Sequence, residues 1–161
     1  MMHTTTSPHY GIVASNETAA AMMKGNAGKR LINGSIERAI KFRKEIKRLR
    51  TESDGWFFDV WQPDHIDTTE CWPLRSDSTW HGFKNIDNEH MYLDPIKVTL
   101  LTPGMEKDGT MSDFGIPASI VAKYLDEHGI VVEKTGPYNL LFLFSIGIDK
   151  TKALSLLRAL T

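Results

Sequence analysis

Apolar residues recur at helical spacing between Ser35 and Arg50, where Ile36, Ala39, Ile40, Ile46 and Leu49 fall on one face and the charges fall mainly on the other. This pattern predicts a helix capped by Ser35. Upstream, Ser15 can cap a shorter helix over residues 16–24, with Glu17 in its first turn, and Gly25 and Gly28 mark a break. Residues 51–95 are turn-rich, with one short strand candidate at Phe57-Phe58-Asp59-Val60-Trp61. The pattern sharpens from Ile96 onward. Residues 97–102 are β-branched and apolar and end in Thr102-Pro103-Gly104, the composition of a strand and a turn. Pro117 suits the first turn of a helix that buries Ile120, Val121, Tyr124 and Leu125, with Gly129 as its stop. Residues 130–134 and 139–146 read as two further strands, and Asp149 as the cap of a last helix burying Leu154, Leu157 and Leu160. Strand, helix, strand, strand, helix is the order of a small α/β sandwich with helices on one face. The last helix carries no stop signal before Thr161 and reads as cut.

The 161 residues suit one domain, and the composition (41% hydrophobic, 24% charged) is that of a globular chain. Nineteen Lys and Arg against 20 Asp and Glu exclude a protein held to nucleic acid by bulk charge. The balance hides an asymmetry: residues 29–50 hold nine basic and two acidic residues, and the chain after Arg50 holds 17 acidic and nine basic. With no interleaved aromatics on its polar face, the basic helix reads as a solvated or subunit-facing connector. Residues 1–6 lack the basic stretch and following apolar run expected of a signal peptide, and residues 140–148 are far too short an apolar run to span a bilayer. Cys71 is the only cysteine, so no internal disulfide forms and a reducing, cytoplasmic setting is expected.

Candidate chemistry is sparse. Gly25-Asn26-Ala27-Gly28-Lys29-Arg30 fails as a phosphate loop, because Met23 and Arg30 stand where a Gly and a Ser or Thr are required. The six histidines include no i, i+4 pair, so no metal site is expected. Cys71 with His65 or His81 as its base lacks an oxyanion-hole signature. Two features remain. Thr4-Thr5-Thr6-Ser7, closed by Pro8, can offer hydroxyls and amides to a phosphate, or be merely solvated. Glu133 ends the apolar run Ile130-Val131-Val132 beside the Gly136-Pro137 turn, where an acid can hold an ammonium group or stand as an exposed strand end.

These residues also carry a family resemblance. Thr5 to Tyr10, Trp80-His81-Gly82-Phe83, Tyr92 to Thr99, Thr102-Pro103-Gly104, Val132 to Gly136 and Leu141 to Gly147 together resemble the bacterial pyridoxal-phosphate-dependent ornithine/lysine/arginine decarboxylases, and most closely those acting on lysine. The resemblance runs the whole length of the chain and implies an internal piece of a longer enzyme. Residues 1–24 would be the tail of a fold-type-I cofactor domain. Residues 25–161 would be the connecting helix and first part of an aminotransferase-like C-terminal small domain. It implies conversion of L-lysine to cadaverine and CO₂ in acid stress, with ornithine or arginine decarboxylation, or a non-catalytic interaction module, as alternatives. The partners implied are the amino-acid substrate and further copies of the enzyme, in dimers with shared active sites and a higher assembly, with no nucleic acid or membrane. By the same resemblance, Thr5 and Ser7 contact the phosphate of pyridoxal 5'-phosphate in the neighbouring subunit, and Glu133 holds the substrate's distal ammonium. The family's Schiff-base lysine lies in a Ser/Thr-X-His-Lys context that this chain lacks, so the chain alone is expected to be inactive.

Overall fold

The structure, a computed structural model, describes residues 9–66, 72–86 and 90–161. Its elements in order are α1 (Tyr10–Met23), α2 (Gly25–Glu52), β1 (Asp59–Val60), β2 (Trp72–Pro73), β3 (Tyr92–Leu93), β4 (Lys97–Leu101), α3 (Ala118–Glu127), β5 (Lys134–Thr135), β6 (Asn139–Leu143) and α4 (Lys150–Leu160). Four strands form an antiparallel sheet in the order β1-β4-β6-β5, and β2 and β3 pair separately. The mixed helix-and-sheet class read from the pattern is the class observed.

Strand periodicity explains the core. In β4 and β6 the opposed pairs Val98–Phe142 and Leu100–Leu140 point to one face and are all buried. That face packs under Ala39, Phe42 and Ile46 of α2, Val121 and Leu125 of α3, and Leu156 and Leu160 of α4. The opposite face carries Lys97 and Leu143 at the surface. A second, smaller cluster of Ile66, Trp72, Leu74 and Leu93 packs against Ile40 and Trp61.

Arg43 joins the two clusters. It lies four residues beyond Ala39 on the buried stripe of α2 and is fully buried. Its Nε and Nη2 donate to the Pro95 carbonyl, Nη2 also to the Lys97 carbonyl at 2.7 Å, and Nη1 to the Trp61 carbonyl. The Trp72 ring covers the guanidinium, with its centroid 5.0 Å from Cζ. Burial pulls the Arg43 pKa down to about 9, with the charge of Asp94 opposing that pull, so the group remains cationic at neutral pH.

Several boundaries differ from the sequence reading. α1 begins at Tyr10, and Ser15 is not its cap; the Ser15 hydroxyl donates back to the Ile12 carbonyl inside the helix. α2 starts at Gly25 (φ 66°) after the extended Lys24, and runs through Ser35, which is a buried interior residue. Gly28 is helical, and it is required for close approach: a Cβ there would lie 2.0 Å from the Met23 carbonyl oxygen. The strand expected over 130–134 shrinks to Lys134–Thr135, because the Ile130 amide is drawn back to the Leu125 carbonyl. That bond, with Gly129 N–H to the Asp126 carbonyl, closes α3 in a Schellman turn through Gly129 at φ 73°. On α3 it is Ala118, Val121 and Leu125 that are buried, while Ile120 and Tyr124 face out. On α4, Leu156 and Leu160 are buried and Leu154 is half exposed.

Candidate functional site

Glu133 sits at a bend just before β5, and its amide donates to the Leu141 carbonyl at 3.1 Å. The residue lines a cavity of about 630 Å³ between the end of α3, β6 and α4. Ile130, Val131, Phe142 and Phe144 supply apolar wall, and among the described residues Glu133 is the one acid lining it. The side chain is exposed, and among the described residues no cation lies within ion-pair distance of it. Lys152 also lines the cavity, but its Nζ donates to the Gly147 carbonyl at 3.2 Å. An apolar wall with a carboxylate at one end accommodates a straight aliphatic chain bearing a terminal ammonium.

The other candidates divide. Thr5, Ser7 and Cys71 lie outside the described residues. His81 is buried, and both its ring nitrogens are engaged: the Phe83 amide donates to Nδ1 at 3.1 Å, so Nε2–H donates to the Arg75 carbonyl at 2.8 Å. With its one lone pair occupied, it has none to offer a nucleophile. It belongs instead to a ring cluster with Trp80, Phe83 and Trp61. Among the described residues no group of three His, Cys, Asp or Glu side chains gathers at metal-binding distance. No described helix is long and apolar enough to cross a membrane.

The described residues by themselves do not make a pyridoxal-phosphate site. The cavity beside Glu133 also has Ser145, Thr151, Ser155 and His128 in its lining, but its one lysine, Lys152, donates to the Gly147 carbonyl and stands outside a Ser/Thr-X-His-Lys context. The pattern reading did not identify Arg43 as the pivot of the packing. Its signal was a cation on an apolar stripe, seven residues after Ile36 and four after Ala39.

Comparison with known proteins gives a consistent picture. The inducible lysine decarboxylase of Escherichia coli K12 is 99% identical over all 161 residues, which span 22% of its length. The lysine decarboxylase of Hafnia alvei is 84% identical over the same span, again 22% of its length. The solved structure of the constitutive lysine decarboxylase of E. coli superposes with a TM-score of 0.86 at 71% identity, covering 98% of this chain and 22% of that one. The biodegradative arginine and constitutive ornithine decarboxylases of E. coli match at 41% and 35% identity over 94% and 90% of this chain. The chain thus spans less than a quarter of the length of the relatives it matches. A family model described as the Orn/Lys/Arg decarboxylase major domain matches residues 1–152, and the chain belongs to that decarboxylase family.

Proposed function

We propose that this chain is an internal segment of a cytoplasmic, pyridoxal-phosphate-dependent enzyme that removes the α-carboxylate of L-lysine as CO₂. The reaction yields cadaverine and consumes a proton, which suits a role in acid stress. The observation that carries the reading is the gradient of identity, from near-identity with a lysine decarboxylase down to less than half with arginine and ornithine decarboxylases. The cofactor, when bound, supplies the electron sink for the carbanion left by CO₂ loss. Most of its site would lie in parts of the enzyme beyond these residues. This chain would contribute the hydroxyls of Thr5 and Ser7 to the phosphate of a neighbouring subunit in a homo-oligomer. The division into a domain tail (1–24) and a small-domain portion (25–161) is supported by the bend at Lys24–Gly25, and by α1 burying none of its residues against the rest.

Glu133 would hold the distal ammonium of lysine, with the aliphatic stem along Phe142 and Phe144. Fixing that end orients the α-carboxylate for departure, so the interaction acts through positioning. In the full-length enzyme carrying this sequence, Glu133→Gln is expected to lower kcat/KM for lysine by about tenfold or more, a loss of at least ~1.4 kcal/mol, with cofactor absorbance and Tm nearly constant. A fall of less than about twofold makes Glu133 a surface acid, and the ammonium is then held elsewhere.

A further inference from the structure

A second hollow, on the helical side of the molecule, has a different character from the Glu133 cavity. It is a groove of about 640 Å³ between the middle of α2 and the start of α4. Its apolar lining includes Phe42, Ala153, Leu154 and Leu157, and Leu154 is 51% exposed although it stands beside the main core. Arg38, Lys41 and Lys150 line it, beside a Lys44 that is itself engaged, against two acids, Glu37 and Glu45. Glu45 is already taken by Arg48, whose hydrogen bonds hold its carboxyl below the ordinary range. The groove therefore presents an apolar floor beneath a net positive rim.

We propose that this groove seats an acidic amphipathic helix from the remainder of the full-length polypeptide, its apolar stripe on Leu154 and Leu157 and its carboxylates against Lys41 and Lys150. Four observations favour that occupant. A leucine left half exposed between two packed helices is a docking position, since covering it removes apolar surface from water. The basic rim selects carboxylates and repels a cationic segment. The inference rests on the reading of this chain as an internal segment: the chain spans only 22% of the length of its relatives, and on that reading most of the polypeptide available to cover the groove lies outside these residues. A groove along two helices, reached by side chains at i, i+3, i+4 and i+7, matches a helix better than an extended strand.

Zero-length carbodiimide cross-linking of the full-length enzyme tests this, because it joins a lysine only to a carboxylate already in contact with it. Subunits are prepared in ¹⁴N and ¹⁵N forms and mixed under conditions that allow exchange, so links within and between chains separate by mass. The expected result is links from Lys41 or Lys150 to Asp or Glu residues outside 1–161. These acids should be spaced three or four apart and carry the same isotope as the lysine. Leu154→Glu should reduce those links severalfold, while links elsewhere in the enzyme persist as a control on folding. Mixed-isotope links would place another subunit in the groove and overturn the proposal. Links confined to residues 1–161, or free reactivity of both lysines in the assembled enzyme, would overturn it equally.

Discussion

Arg43 concentrates an unusual share of the structure in one side chain. Its guanidinium serves the carbonyls of Trp61, Pro95 and Lys97, and among the described residues no carboxylate is hydrogen-bonded to it. Removing the donor strands three carbonyls away from water, and each buried acceptor left unpaired costs about 1–3 kcal/mol. Arg43→Met should therefore destabilise the chain by roughly 3 kcal/mol or more, read as a lower urea midpoint. Arg43→Lys should recover only part, because an ammonium cannot span the same three acceptors. Asp108 offers a test by pH. Its Oδ1 accepts from both the amide and the hydroxyl of Thr110, and these bonds lower its pKa from the ordinary value. A carboxyl whose folded pKa is depressed contributes stability that is present above its unfolded pKa and lost as pH falls through its folded pKa. The turn at 108–110 should thus keep its bonds to lower pH than an unbonded aspartate would permit. A carbon-detected titration of the Asp108 carboxyl should show a midpoint below the ordinary range, and Thr110→Ala should move it up.

Capping separates what a sequence shows of an element from what it hides. Asp149 accepts from the Lys152 amide at 2.8 Å and starts α4 where the sequence predicts. Asp149→Ala should cost about 1 kcal/mol, and Asp149→Asn much less, as measured by thermal unfolding. Ser15 and Ser35 have the same capping chemistry but do not cap. The tight passage at Gly25 and Gly28 allows α2 to begin ten residues earlier than Ser35, and no proline interrupts the stretch between. A capping side chain gives a preference, and it yields wherever the backbone on both sides can remain helical. The faces of α3 and α4 show a related limit. Each carries apolar residues around more of its circumference than one layer can cover, so the spacing alone could not say that Val121 and Leu156 are buried while Ile120 and Leu154 face out.

For the molecule as a whole, stability rests on one helix-covered sheet face. Leu140 is fully buried in β6 opposite Leu100, and it touches the layer built from α2, α3 and α4. Leu140→Ala should cost 2–5 kcal/mol, a large part of the ~5–15 kcal/mol of a typical domain, with an unchanged urea m-value if unfolding remains all-or-none. The strands at 97–101 and 139–143, the helix between them, and the capped last helix were all legible in the sequence, because hydrophobic period, turn residues and caps act over a few neighbours. The ordered run of motifs from Thr5 to Gly147 was likewise legible as a decarboxylase pattern. Other features were decided by tertiary structure. The order β1-β4-β6-β5, the separate β2–β3 pair, and the burial of Arg43 under Trp72 depend on contacts between residues that are distant in sequence. The surroundings of Glu133 are of the same kind. From the residues alone it was more simply an exposed strand end than an ammonium ligand, and only the return of β6 and α4 put Phe142 and Phe144 beside it. Local chemistry could name the carboxylate, but a cavity wall exists only once separate elements have closed around it.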